Sequence, residues 1–412
     1  MARLIAHVRT AASPPEDESD LRDGEQAVIR GRFSRQLQQI WVTFFALAIA
    51  LAIGAILIVL TDQTARDAWG SLFQSPGHAV LTSFNLVSKS YAALFNASFG
   101  SEYAISETLT AATPLLLTAL CVTLAFRAGL FNIGVQSQFT AGAVAATYVG
   151  FSLSGWPVPI HLALALTAAV VAGGLMGIVP AVLKVKTNSH EVITCLMLNY
   201  IAQFVATWLV ATSVFAAVGQ GGAISKPVNV SLPHLLGAGN RVHLGTVLAL
   251  VAGVAVWYVL TRTTLGFRVD VVGSNRVAAR YAGINVSRTY IWVFAASGAL
   301  AGLAGAGEIL GVQGFLSADI GSTFTLGAIA VALLGRLQPI GVVFASLLLG
   351  ALQAGAIGMQ SVTGVPVDII QVLEALIIVL VAAPLFLREV FHIRAQGATA
   401  IEGGELSKGW AG

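Results

Sequence analysis

The chain has 412 residues, of which 10% are charged and 56% hydrophobic, whereas ordinary soluble domains carry about 25% charge. A water-soluble globule of this size needs more polar surface than such a composition supplies, so that class is excluded. The net charge of +3 is small, and the arginines form no aromatic-interleaved basic face, which leaves nucleic-acid binding without support.

Lipid is the solvent that suits this chain, and the expected fold is all-α, a polytopic bundle of membrane helices. Residues 1–40 come first. They mix Glu16, Asp17, Glu18 and Asp20 with six arginines and include Pro14 and Pro15. The segment is too long for the charged leader of a signal peptide and reads as a disordered cytoplasmic tail. The membrane domain spans 41–387. A spanning helix needs about 20 apolar residues, and ten candidates occur in order: 41–60, 109–126, 139–153, 160–183, 192–216, 244–260, 290–312, 324–335, 340–357 and 367–387. The third and eighth are short and glycine-punctuated, which suits broken or re-entrant helices. Residues 388–412 form a second cytoplasmic tail.

Basic residues set the topology. With the amino terminus inside and every segment crossing, all Lys and Arg except Arg66, Lys89, Lys226 and Arg241 fall on the cytoplasmic face, the bias that membrane insertion selects. Both termini are therefore expected inside. Two long outer connections remain. Residues 61–108 are aromatic-rich and read as interfacial helices. Residues 217–243, with Gly219, Gly221, Gly222, Pro227 and Pro233, read as an ordered loop or short hairpin. Each either meets an extracytoplasmic partner or packs over the helix ends.

Four features carry functional information. The run from Phe126 to Gln138, with Phe131-Asn132-Ile133-Gly134 at its centre, brings amides and glycines into the membrane. Backbone leaving a helix in lipid must be buried in protein or face water. Two readings fit it: a re-entrant segment lining or gating the solute path, through Phe131, Asn132 and Gln136, or a loop whose amides cap helix ends. Gln338-Pro339-Ile340-Gly341 marks a comparable break late in the chain, a faint sign of inverted repeats. In the second feature, Asn188 or Ser189 is placed to cap the following helix, and Glu191 suits its positive first turn. Asn199 lies two turns deeper, where its amide faces the pathway or bonds a neighbouring helix.

The third feature is the basic loop 262–288. Within it Gly273–Ile284 reads as a two-turn helix, with Ser274 as its amino-terminal cap and Gly283 as its left-handed terminator. Val277, Ala278, Tyr281 and Ala282 share one face. So short a helix is unstable alone and wants a groove. The fourth is intramembrane acid: Glu308 and Glu374 are pathway candidates, Glu308 first because small residues surround it. They are also what a proton-coupled secondary carrier, the rival reading, requires. Cys121 and Cys195 sit in apolar runs and pack as small hydrophobes. No HExxH or CxxC spacing occurs, so no metal is expected. Ser297-Gly298 has no intramembrane histidine partner, which argues against a hydrolase.

These stretches resemble the permeases of ATP-binding-cassette importers of the branched-chain amino acid, simple-sugar and nucleoside class, most of all the nucleoside and simple-sugar branch. The resemblance rests on Phe131–Gly134, on the Glu191-Val192-Ile193 and Met197-Leu198-Asn199-Tyr200 runs, on Ala278–Ile284 with the helix Ser297–Gly305, and on residues 329–341. It implies a transport subunit that is no enzyme and binds no cofactor itself. Its implied partners are ATPase subunits holding ATP and Mg, a second and different permease chain, and a substrate-binding lipoprotein outside a bacterial inner membrane. It further implies that Gly273–Ile284 couples to the ATPase through Ser274, Arg276, Ala279, Arg280, Tyr281 and Gly283. The chain departs from the family pattern at Gln136, Ser137, His190 and Cys195. It carries no GxxxxGK(S/T) phosphate loop.

Overall fold

The structure, a computed structural model, describes residues 45–382 apart from 72, 74, 218–223, 236, 238, 322 and 323. The expected tails 1–40 and 388–412, residues 41–44 and residues 383–387 lie outside the described residues. The described chain is helical and has no strand, only three isolated bridges.

The helices are α1 (Phe45–Thr61), α2 (Gln63–Gly70), α3 (Pro76–Phe99), α4 (Glu102–Arg127), α5 (Val135–Ser152), α6 (Val158–Thr187), α7 (Glu191–Ala211), α8 (Leu244–Arg262), α9 (Thr264–Ser274), α10 (Arg276–Tyr281), α11 (Val286–Glu308), α12 (Phe324–Leu334), α13 (Pro339–Thr363) and α14 (Asp368–Ala382). A helix occupies the described part of each of the ten expected segments. Among the described residues six helices have the length and apolarity to cross a membrane, or seven if α1 and α2, bent by 79° at Asp62, count as one. The reason is local. Helix α5 spends its first turns on Gln136, Ser137 and Gln138, and α12 has only 11 residues, about 16 Å of helix against a hydrocarbon core of about 30 Å.

Helix α4 is the hub. Ser101 caps its start by accepting from the Ala104 amide at 3.1 Å, and Arg127 sits in its last turn, where the helix dipole favours a cation. Its most apolar 18-residue stretch is 83% buried. Its many threonines survive burial by bonding backward: Thr113 to the Leu109 carbonyl and Thr118 to the Pro114 carbonyl. Helix α13 packs on it where Gly350 meets Ala112, α12 where Gly327 meets Leu115, and α8 through a Thr113–Thr246 hydroxyl pair at 2.9 Å. On its other side α13 takes α3, with Gly355 and Gly358 admitting Ser98 and Ala97.

A second group, α5, α6 and α11, packs backbone to backbone. A Cβ on Gly302 would lie 2.3 Å from the Ala169 carbonyl oxygen, and one on Gly142 would lie 2.4 Å from the Gly302 Cα. Gly173 and Gly177 of α6 meet Gly298 and Phe294 in the same way. Small residues allow this approach in a solvent that gives no hydrophobic drive between helices.

The described residues of loop 217–243 pack over helix ends. Its backbone bonds the stretch after α11, Ser225 N–H to the Leu316 carbonyl, Val228 to Gly314 and Leu232 to Leu310, and Asn229 bonds Gly150 at the end of α5. Helix α11 closes in a π turn, Ile309–Gln313. Gly311 leaves room there for the His243 ring, which a Cβ would meet at 2.5 Å. Buried His243 caps α8, its Nδ1 accepting from the Gly245 amide at 3.1 Å. Burial and the nearby His234 and Arg241 lower its pKa from 6.5 to about 4. Its neutral form is therefore required by the fold, so the stability it contributes is complete above about pH 6.5 and is lost as the pH falls toward 4. His243→Asn, which keeps a capping oxygen, should flatten that part of the wild-type curve of melting temperature against pH. An unchanged curve would contradict the assignment.

Candidate functional site

The break between α4 and α5 begins at Gly129, whose φ of +69° is left-handed and is open to glycine without steric cost. Asn132 then turns fully into the protein. Its Nδ2 donates to the Gln138 Oε1 at 3.1 Å and to the Cys121 sulfur at 3.4 Å. Its Oδ1 accepts from the Gln138 Nε2 at 3.1 Å and from the Gly134 amide at 3.0 Å. The Cys195 thiol approaches the same oxygen at 3.8 Å. Both cysteines are free and buried.

Asn199 closes the break from α7. Its Oδ1 accepts from the Ser137 amide at 3.0 Å, and its Nδ2 donates to the Ile133 carbonyl at 2.9 Å. Of the two positions open to Asn199, the structure shows the bond to a neighbouring element. Gln136, next to Ser137 and half-buried, donates to the Gln203 Oε1 at 3.0 Å. Gln203 in turn donates to the Ala318 carbonyl. Asn132 and Asn199 thus spend their amides inside the protein. Phe131 is 45% exposed and packs on Phe126 with ring centroids 4.4 Å apart.

Helix α7 has two faces. Glu191, Cys195, Asn199, Ala202, Ala206 and Val210 point inward, while Ile193, Met197, Tyr200, Phe204 and Trp208 are exposed. Glu191 also pairs with Lys184 at the end of α6, a partner beyond the helix-end role expected of it. The capping differs from expectation. Asn188 adopts φ 52° and closes α6, and the residue at the start of α7 is His190, with no side-chain cap. A left-handed Asn satisfies the end of one helix and so is not available to start the next.

The helix expected in loop 262–288, α10, forms with one shift. Its cap is Asn275, whose Oδ1 accepts from the Val277 and Ala278 amides at 2.9 and 3.0 Å. Ser274 still belongs to α9 and bonds back to the Asp270 carbonyl. Gly283 ends the helix at φ +75°. Ala279 is fully buried and anchors it, while Val277 and Tyr281 are 61% and 90% exposed; Ala278, Arg280 and Ala282 are exposed beside them. Arg276 lies over the Tyr290 ring and donates to the Gly129 carbonyl at 3.3 Å.

The intramembrane acids stand apart from this site. Glu308 ends α11, and its Oε1 accepts from Gln313 in its own π turn at 3.0 Å. Glu374 lies half-buried on α14. The Ser297 hydroxyl donates to the Cys121 carbonyl. Among the described residues no cluster of His, Cys, Asp or Glu is arranged to hold a metal.

Three partners escaped sequence reasoning. Gln203 lies four residues after Asn199, on the same helical face, which is a readable signal. Asp270 is the only acid in 262–288, and it forms a two-pronged ion pair with Arg127. Lys184, seven residues before Glu191, is the third.

Residues 104–382 match the family described as branched-chain amino acid transport system / permease component. The chain is 36% identical over 370 residues to a guanosine ABC transporter permease protein of Bacillus subtilis, covering 88% of this chain and 99% of the relative. It is 36% identical to a nucleoside ABC transporter permease protein of Lactococcus lactis, covering 76% and 88%, and 35% identical to a glucose ABC transporter permease protein of Haloferax volcanii, covering 80% and 83%. With its apolar helices and a match over more than half its length, this multi-pass membrane protein belongs to the branched-chain amino acid transport system permease component family.

Proposed function

We propose that this chain is one wall of the translocation pathway of an ATP-driven importer for nucleosides or related sugar-containing solutes in a bacterial inner membrane. It works with a second, different permease chain, ATPase subunits that bind ATP and Mg, and a substrate-binding lipoprotein outside. The basic residues support an orientation with loop 262–288 in the cytoplasm. The relatives whose names mention guanosine, nucleosides and glucose support the solute class.

The observation that carries the reading is α10. A two-turn helix does not persist alone, yet this one is pinned by buried Ala279 and presents Val277, Ala278, Tyr281 and Ala282 outward, the geometry of a helix made for a partner's groove. Hydrolysis elsewhere shifts the permease only if the ATPase grips one conformation more tightly than the other. Helix α10 is the handle for that grip. Phe131 offers a ring face to a base, and the half-buried Gln136–Gln203 pair offers amides to a base or sugar.

Radiolabelled guanosine uptake into a deletion strain complemented with the Arg280→Ala/Tyr281→Ala variant tests this. Uptake should fall about tenfold or more, as loss of linkage between coupled sites implies, while the amount of protein in the membrane holds. Normal uptake by the variant contradicts the role of α10. Uptake that survives ATP depletion and collapses with a protonophore favours a proton-coupled carrier using Glu308 and Glu374.

A further inference from the structure

Three contacts join the end of α4 to the cytoplasmic helices. The Arg127 guanidinium meets Asp270 of α9 with both prongs, Nε to Oδ1 at 2.9 Å and Nη2 to Oδ2 at 2.7 Å. Gly273 lies so close to α4 that a Cβ there would sit 2.0 Å from the Arg127 carbonyl oxygen, and Gly129 faces it. Arg276, the first residue of α10, donates to the Gly129 carbonyl. All three land within three residues of each other, where the chain leaves α4 for the break at Asn132.

We propose that the Arg127–Asp270 pair is the strut that makes this break follow α9 and α10, so that it sets how much solute passes per ATP hydrolysed. The inference rests on the function proposed above and adds positioning residues to it. The geometry favours transmission over a mere helix-end charge. A cation at the end of α4 needs no partner to satisfy the helix dipole, whereas a two-pronged bond fixes angle as well as distance. Asp270 is the sole acid of a basic loop, and it is spent on this contact. The pair is partly exposed, with side chains at 24% and 41%, so it contributes little to stability; its value lies in geometry.

The test uses the complete complex, both permeases with ATPase and binding protein, in proteoliposomes, reading radiolabelled guanosine delivered per ATP. Arg127→Lys keeps the charge but not the fork, and Asp270→Asn keeps the shape but not the charge. Each should assemble, hydrolyse ATP and deliver about tenfold less solute per ATP. The swap Arg127→Glu/Asp270→Arg should recover most of that loss. Unchanged delivery per ATP in the single variants overturns the strut, as does failure of either to assemble, which would make the pair structural. A swap that recovers nothing also overturns it. A wild-type complex without ATP-driven uptake takes down the function itself, and the strut with it.

Discussion

Gly302→Val should leave almost no assembled protein in the membrane. Gly302 sits where α5, α6 and α11 cross, and a Cβ there would lie 2.3 Å from the Ala169 carbonyl oxygen and 3.0 Å from the Gly173 Cα. Both obstacles are backbone, so no side-chain rotation relieves them. Overpacking a core costs about 1–3 kcal/mol where side chains can give. Here three helices must part, so the loss should reach or exceed the top of that range. Gly307→Ala is the control, because a Cβ on Gly307 meets nothing within 4 Å and alanine favours helix over glycine by about 1 kcal/mol. Thermal unfolding in detergent should place Gly307→Ala at or above wild type. A wild-type melting temperature for Gly302→Val would contradict the packing.

Asn132→Ala should be nearly as damaging, for the opposite reason, because it removes contacts. It leaves both ends of the buried Gln138 amide and the Gly134 amide without the Asn132 partner. Orphaned buried polar groups cost about 1–3 kcal/mol each, so the sum should exceed about 3 kcal/mol. Removing both side-chain amides together costs less than the two single changes summed, since only the Gly134 amide is then left without its Asn132 partner. The double variant Asn132→Ala/Gln138→Leu should therefore be more stable than the sum of the single losses by about 1 kcal/mol or more, a coupling of the size expected for residues in contact. Strict additivity would show that the two amides do not depend on each other.

Much of this architecture was legible in the sequence because it rests on local rules. Apolar runs located the helices, and Gly283 announced the end of α10 because its left-handed position suits glycine. Ser274 misled because Ser and Asn cap equally well; Asn275 won once α9 extended through Ser274 and turned its hydroxyl back to Asp270. The start of α4 at Glu102 was hidden by polar residues such as Thr108 and Thr110, whose side chains are buried in the folded protein. What stayed out of reach was pairing across long separations. No local pattern joins Arg127 to Asp270 or Gln203 to Ala318, and the solute-path candidates divide accordingly. Asn132 and Asn199 hold the break together, while Phe131 and the Gln136–Gln203 pair keep surface to offer. Glu308 lies apart from them, bonded within its own π turn.

The proposed function requires solute passage to be driven by an attached ATPase that grips α10. The most direct measurement is guanosine accumulation in proteoliposomes holding the chain with its permease partner, ATPase and binding protein, with ATP supplied on the α10 side. The account predicts concentrative uptake that requires hydrolysable ATP and ignores a collapsed proton gradient. Accumulation by the chain alone, without ATPase or ATP, would contradict it.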